Sequence, residues 1–267
     1  MPAPKVLVIG TGEYVTGLVH GSESTSDKGG GIVALTLFDL RERGLVSAII
    51  LAGSNGSKFP LVRSHFNQLI AERYGMDTSF RSFPDDDQKD SNAWKNALQE
   101  LNLGDAVIIF TPDDLHYEMA YTAASKGLNV LVAKPIVKTT EEHDSLIEIS
   151  REKKSTIAME VHKRWDPIYS DAREKIRDLG EFSYFSSYMS QPKSQLDSFR
   201  DWAGKSSDIS YYLNAHHIDF HCWALGGLAR PISVIASAST GVATSQGLPT
   251  EDSITLMVDW LNNSGTK

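Results

Sequence analysis

The chain has 267 residues, 41% of them hydrophobic, with glycine, proline and charge near globular averages, which is enough to bury a core in one or two domains. Its formal net charge of −8 argues against a nucleic-acid or anionic-membrane surface, because counterion release needs a concentrated basic face. One cysteine, Cys222, excludes an intramolecular disulfide framework and fits a reducing compartment; no apolar run approaches the roughly 20 residues that span a bilayer, and the run VLVIG is too brief for a signal peptide, so a cytoplasmic location is expected.

In chain order, short β-rich runs alternate with longer amphipathic ones, the pattern of a parallel sheet covered by helices. Strands are predicted at Val6–Ile9, Ser47–Leu51, Ser79–Phe83, Ala106–Phe110, Asn129–Val132 and Thr156–Val161. Helices are predicted at Gly30–Arg43, Phe59–Tyr74, Ser91–Asn102, Asp113–Lys126 and Thr140–Lys154. Ser91 and Asp113 stand where N-caps belong, and Gly44, Gly75 and Gly127 where left-handed C-terminal glycines belong. After Arg164 the pattern changes: a helix near Asp166–Leu179, then alternating strands in EFSYFSSYMS, ISVIASAST and SITLMVDWL, which predict an open, mostly antiparallel sheet. The acidic run Asp85-Asp86-Asp87 lacks the spacing of a calcium loop and reads as a solvated loop.

The first strand runs into a glycine turn. A G-x-G-x-x-G fingerprint would use Gly10, Gly12 and a glycine at position 15, but that position is Val15. Gly10 and Gly12 can provide the tight turn and the close approach of backbone to a pyrophosphate. The stretch that follows Val15 is polar and loop-like, and the helix is expected to begin at GGGIVALTLFDLRER. Gly30 and Gly31, after Gly29, are therefore expected to supply small residues and free N–H groups there, with Lys28 adding positive charge. At the end of the second strand, where an acid would hold ribose hydroxyls, stand Gly53, Ser54, Asn55 and Ser57, followed by Lys58 and Arg63. Neutral donors and cations accept a 2′-phosphate that a carboxylate would repel, so NADP is expected over NAD, with NAD possible.

Two later strand ends carry a resemblance. DAVIIFTPDDLHYEMAYTAASKG followed by NVLVAKPI resembles the glucose-fructose oxidoreductase, inositol dehydrogenase and MocA family, Gfo/Idh/MocA. Thr111, Pro112 and His116 match its first motif; Lys134 and Pro135 match its second, with Ala133 in place of a glutamate. VHKRWDP resembles the family's substrate-facing segment, with His162, Arg164 and Pro167, and YYLNAHHIDFHCWALGG resembles its D-x-x-x-H-x-x-D helix, with Tyr212, His216 and Asp219 at the motif positions. Tyr212 stands where the first aspartate would be.

The resemblance implies an α/β chain: an N-terminal Rossmann doubly wound parallel sheet (residues 1–137, with a linking helix and strand at 138–164) and a C-terminal α/β domain (165–267) with an open, incomplete, mostly antiparallel sheet. It implies a bound nicotinamide cofactor, hydride transfer at a carbon bearing oxygen in a sugar, sugar acid such as a uronate, or related compound, and a cis Lys134-Pro135 bond. Lys134, His216 and Tyr212 are the catalytic candidates: Lys134 and His216 for proton transfer at the reacting oxygen, Tyr212 as orienter. Gly10, Gly12, Gly30, Gly31, Ser54, Asn55, Lys58, Thr111, Pro112, His116, Lys134 and Pro135 are candidates for the cofactor, and Lys134, His162, Arg164, His216 and Asp219 for substrate.

Several residues keep two readings. His116 lines the cofactor cleft or belongs to the first turn of its helix. Arg164, Lys163 and Lys193 recognise a carboxylate or form surface ion pairs. His217 and His221, four apart on one helical face, lack a third ligand, so no metal is expected. Cys222 is expected to be a small core residue. A non-catalytic, nucleotide-sensing regulator of the same fold is the alternative function, and a methyltransferase a weaker one. The chain stops at NNSGTK with no returning strand, so an apolar face along Ile254, Leu256 and Val258 is expected to be exposed. Either the chain is truncated or a second subunit covers that sheet, and a homo-oligomer is expected.

Overall fold

A computed structural model describes residues 2–193, 196, 199–200 and 202–267. The chain divides into two compact units, Met1–Thr111 with Leu115–Met159, and Pro112–Asp114 with Glu160–Lys267.

The first unit holds a six-stranded sheet. Its strands are β1 (Lys5–Ile9), β4 (Ala48–Ala52), β5 (Arg81–Phe83), β6 (Ala106–Ile109), β7 (Asn129–Ala133) and β8 (Ile157–Glu160), in spatial order β5-β4-β1-β6-β7-β8. β1 pairs in parallel with β4 (Val6↔Ile49) and with β6 (Val6↔Ala106). The continuous apolar run of β1 is explained by burial on both faces. Leu7 and Ile9 point into one core with Trp94, Leu98, Met119 and Leu146. Val6 and Val8 point into the other with Leu37, Phe38, Phe59 and Phe66, where the Phe38 and Phe66 rings meet edge-on at 5.3 Å.

The covering helices are α2 (Ile32–Glu42), a continuous helix from α3 (Phe59–Phe66) through a π turn (Asn67–Ala71) to α4 (Glu72–Tyr74), α5 (Ala93–Ala97), α6 (His116–Ser125) and α7 (Thr140–Lys153). Gly44, Gly75 and Gly127 are left-handed as expected, at φ +71°, +70° and +75°. The N-caps differ. Asn92 precedes α5, Asp113 lies in a 3-10 turn ahead of α6, and among the described α-helices the side-chain caps that form are Thr139, accepting from Glu142 N–H, and, in the second unit, Asp166, accepting from Ile168 N–H.

The stretch after the glycine turn, expected to be a loop, folds. It forms a one-turn helix α1 (Glu13–Thr16) and a hairpin of β2 (Leu18–Val19) with β3 (Ser22–Glu23). Two-residue strands leave almost no periodic signal to read, which is why the sequence conceals them.

The second unit contains α8 (Pro167–Asp178), a π turn (Ser210–Asn214) running into α9 (Ala215–Leu225), and an antiparallel ribbon of β9 (Ala229–Ser239) and β10 (Ser253–Asn262). The ribbon's register shifts between Asp259 and Trp260, where Trp260 faces Pro231, a residue with no N–H to give to a ladder. The expected strand in EFSYFSSYMS does not form. The side chain of Asn262 instead takes both backbone groups of Phe182, accepting its N–H at 3.0 Å and donating to its carbonyl at 2.9 Å. Alternation shows which side chains share a face but not whether a partner strand exists. Ile254, Leu256 and Val258 are half-buried; Val234, Ile235 and Met257 carry the exposed apolar surface, at 62%, 63% and 62%.

Candidate active site

At the C-terminal edge of the sheet, Gly10 N–H donates to the Ala52 carbonyl and Phe110 N–H to the Ile9 carbonyl, so three neighbouring strand ends stay together. Gly10 has φ +119°, and any Cβ there would collide with the Phe110 carbonyl oxygen. A Cβ on Gly12 would meet nothing within 4 Å. A turn pressed against the sheet at its first glycine and open at its second fits a dinucleotide's pyrophosphate. Gly30 is likewise open, but the Gly31 N–H, expected to be free, donates to the Lys28 carbonyl at 2.8 Å, because Gly31 closes the loop that leads into α2.

At the end of β4, Ser54 is exposed, and the Asn55 side chain accepts from Ser57 N–H at 3.2 Å and Ser57 Oγ at 2.9 Å. Lys58 is exposed and has no side-chain partner among the described residues. Arg63 is engaged, pairing with Asp86 at 2.7 Å and donating to Ser82 Oγ at 2.7 Å. The acidic run keeps its side chains in solvent, but its loop docks on this turn: Gly56 N–H donates to Gln88, and Asp90 N–H to the Ser54 carbonyl.

His116 is fully buried. Its Nε2 lies 3.0 Å from the Thr111 carbonyl and its Nδ1 2.8 Å from the Pro135 carbonyl. The ring thus ties the T-P turn after β6 to the K-P turn after β7. Lys134 leaves β7 half-buried, and its bond to Pro135 is cis as expected.

In the second unit, His162 and Arg164 sit on the 3-10 turn His162–Trp165, and His216, Asp219 and His221 on α9. His216 is 8% exposed, and the His162 ring meets it edge-on at 5.1 Å. Glu160 Oε1 approaches His162 Nδ1 at 3.4 Å, which extends the arrangement to carboxylate, imidazole and imidazole. Glu160 was not among the sequence candidates; its signal is its place two residues before His162 at the end of β8. Arg164 grips Asp219 through Nε (2.9 Å) and Nη2 (2.5 Å), and that bond holds the guanidinium above its usual range. Lys163 donates to Tyr169 Oη at 3.2 Å. The ring of Tyr212 packs on Phe199 (4.8 Å) and Trp202 (5.4 Å).

Burial, then the charge of Lys163, pushes His217 below the usual imidazole range. Burial alone pushes His221 to about 4. His221 stacks on Phe185 at 4.5 Å and lies 4.8 Å from Phe182 and 4.2 Å from Trp260, and its buried Nε2 has no hydrogen-bond partner among the described residues. Among the described residues, no three His, Cys, Asp or Glu side chains cluster as a metal site would require. Cys222 is exposed, not in the core, because it lies on the face of α9 opposite buried Phe220 and Ala224.

The sheet order, the parallel register and the glycine turn define the first unit as a Rossmann-type dinucleotide-binding fold. Residues 5–161 match the Gfo/Idh/MocA model, described as an oxidoreductase family with an NAD-binding Rossmann fold, and the chain belongs to that family. It is 30% identical over 129 residues to scyllo-inositol 2-dehydrogenase (NAD(+)) of Bacillus subtilis, a match covering 48% of this chain and 37% of the relative. It is 26% identical over 116 residues to scyllo-inositol 2-dehydrogenase (NADP(+)) IolW of the same organism, covering 42% of this chain and 32% of that protein. The aligned part is thus about a third of these relatives' length. In fold, the chain is similar to scyllo-inositol dehydrogenase from Lactobacillus casei, solved with bound NAD(H) and scyllo-inositol. The TM-score is 0.69 at 15% identity, over 99% of this chain and 67% of that one.

Proposed function

We propose that the protein is an NADP-linked oxidoreductase that moves a hydride between the cofactor and a carbon bearing oxygen in a cyclitol, sugar or sugar acid. The observation that carries this reading is the turn Gly10–Gly12, closed against Phe110 and open above Gly12, next to a strand end with no acid and with Lys58 exposed and unpaired among the described residues. Gly10, Gly12, Ser54 and Lys58 hold the nucleotide. A bound nicotinamide supplies or accepts the hydride.

The chain's own residues handle the proton. Lys134, half-buried at a strand's C-terminal end, exchanges a proton with the reacting oxygen or donates a hydrogen bond to it. His216 is the second proton carrier, with His162 packed on its ring and Glu160 orienting His162. Arg164 is bound to Asp219, which favours a neutral polyol or sugar over a uronate, since its charge is already matched by a carboxylate. The exposed thiol of Cys222 suits a reducing, cytoplasmic compartment.

Ala133 in place of the motif glutamate, and the packing of Tyr212 on Phe199 and Trp202, favour a second reading as a nucleotide-sensing, non-catalytic protein. Turnover assays with cyclitols, neutral sugars and uronates, run in both directions with NADP(H) and NAD(H), separate the two. Turnover supports the enzyme; nucleotide binding with no turnover on any substrate supports the sensor.

A further inference from the structure

Glu13 immediately follows the glycine that leaves room for a pyrophosphate, a place where a carboxylate facing the ligand would repel it. The structure shows where that carboxylate goes. Glu13 Oε1 accepts from Ser26 Oγ at 2.7 Å and also from Ser24 Oγ, and the two hydroxyls lie 2.9 Å apart. Both serines belong to the excursion Gly17–Gly31, which leaves the chain after α1 and returns at α2.

The excursion is seated at both ends. Gly17 and Gly31 have φ of +76° and +73°; a Cβ on Gly17 would collide with the Gly29 carbonyl oxygen, and one on Gly31 would lie 2.6 Å from the Val15 carbonyl oxygen. Ser24 N–H donates to the Gly17 carbonyl at 2.8 Å, and buried His65 on α3 bonds the Gly29 carbonyl through Nε2 at 2.7 Å. Between these anchors the span near Ser24–Lys28 is held to α1 by Glu13, with the Lys28 ammonium 5.2 Å from the centre of the Tyr14 ring.

We propose that Glu13 is a positioning residue that fastens the Gly17–Gly31 excursion beside the Gly10–Gly12 turn, so that the excursion forms an additional wall of the dinucleotide site. This rests on the reading of the first unit as a dinucleotide-binding fold. The carboxylate contributes by holding two hydroxyls, and those bonds turn its charge away from the phosphates.

The opposite role predicts the opposite sign, which makes the test decisive. NADPH and NADH are titrated against the whole chain by nicotinamide fluorescence, with wild type, Glu13→Gln, Glu13→Ala and the double variant Ser24→Ala/Ser26→Ala. Glu13→Ala is expected to weaken both cofactors about tenfold, the scale of a lost charge-assisted hydrogen bond. Glu13→Gln keeps an acceptor oxygen and is expected to retain most of the affinity. The serine double variant leaves a charge without its donors, and is expected to weaken binding at least as much, with a loss relative to wild type that shrinks as added salt screens the repulsion.

Hydrogen exchange on the nucleotide-free protein provides the second readout. In Glu13→Ala, amides 18–31 should exchange faster while β1, β4 and β6 stay protected. Tighter binding in both Glu13 variants would mean that the charge simply opposes the phosphates; unchanged binding or unchanged exchange would mean that the excursion is not fastened there. Either result overturns the proposal. Failure of wild type to bind either nucleotide would instead overturn the dinucleotide reading itself.

Discussion

Single side chains divide into those that act and those that hold. His116 holds: both ring nitrogens face carbonyls, one from each loop at the candidate site. On the proposed reading Lys134 acts on the reacting oxygen, and Lys134→Ala is then expected to lower kcat by at least about 100-fold, the usual scale of acid–base catalysis, with cofactor affinity nearly unchanged. Steady-state kinetics and fluorescence titration of the same variant check this; a loss of affinity with kcat intact would assign Lys134 to cofactor binding only.

His221 is held at a cost to stability in acid. Its imidazole has a pKa near 6.5 when unfolded and about 4 in the aromatic box, so between those values the unfolded chain binds the extra proton. Stability therefore falls as pH drops from about 6.5 to about 4 and levels off below, by an amount on the order of 3 kcal/mol if this group acts alone. His221→Phe fills the same space between Phe182, Phe185 and Trp260 without a titrating nitrogen. Urea midpoints measured from pH 7 to pH 4.5 should fall less steeply for the variant than for wild type.

At the scale of elements, the turn after β4 is expected to set cofactor choice. Ser54 and Lys58 are exposed there, while Arg63 is occupied by Asp86 and the loop carrying Asp85–Asp90 docks on the same turn. Lys58 is thus expected to be the cation that meets a 2′-phosphate, and Lys58→Ala to weaken NADPH about tenfold while leaving NADH unchanged. Ser54→Asp should go further and reverse the preference, because a carboxylate repels the phosphate and accepts from ribose hydroxyls. Titration of both cofactors against both variants tests this; NADH preferred by the unmodified protein would refute the NADP assignment.

Across the whole molecule, the two units are built differently. The six-stranded sheet is covered on both faces, whereas β9 exposes nearly its full length and the ribbon shows Val234, Ile235 and Met257 to solvent. Unpaired edges and exposed apolar residues favour association. The protein is expected to form a dimer or larger assembly through the ribbon, and Val234→Lys with Ile235→Lys to shift it toward monomer. Light scattering over a range of concentrations measures both; a monodisperse monomer of the unmodified chain would exclude this role for the ribbon.

The amino-acid sequence by itself determined the six sheet strands and the main covering helices of the first unit, though not α1 or the β2–β3 hairpin, because central strands buried on both faces read as unbroken apolar runs and left-handed helix ends favour glycine, as at Gly44, Gly75 and Gly127. It also carried the T-P and K-P turns, since those motifs are local. Only the tertiary structure decided what depends on a partner remote in the chain. Phe182 is held by Asn262 and not by a strand, Arg63 is taken by Asp86, and Glu13 is held by serines from an excursion that looked like a loop. A residue's type fixes which bonds it can make, but the choice among available partners is made by the packing that brings one of them within about 3 Å.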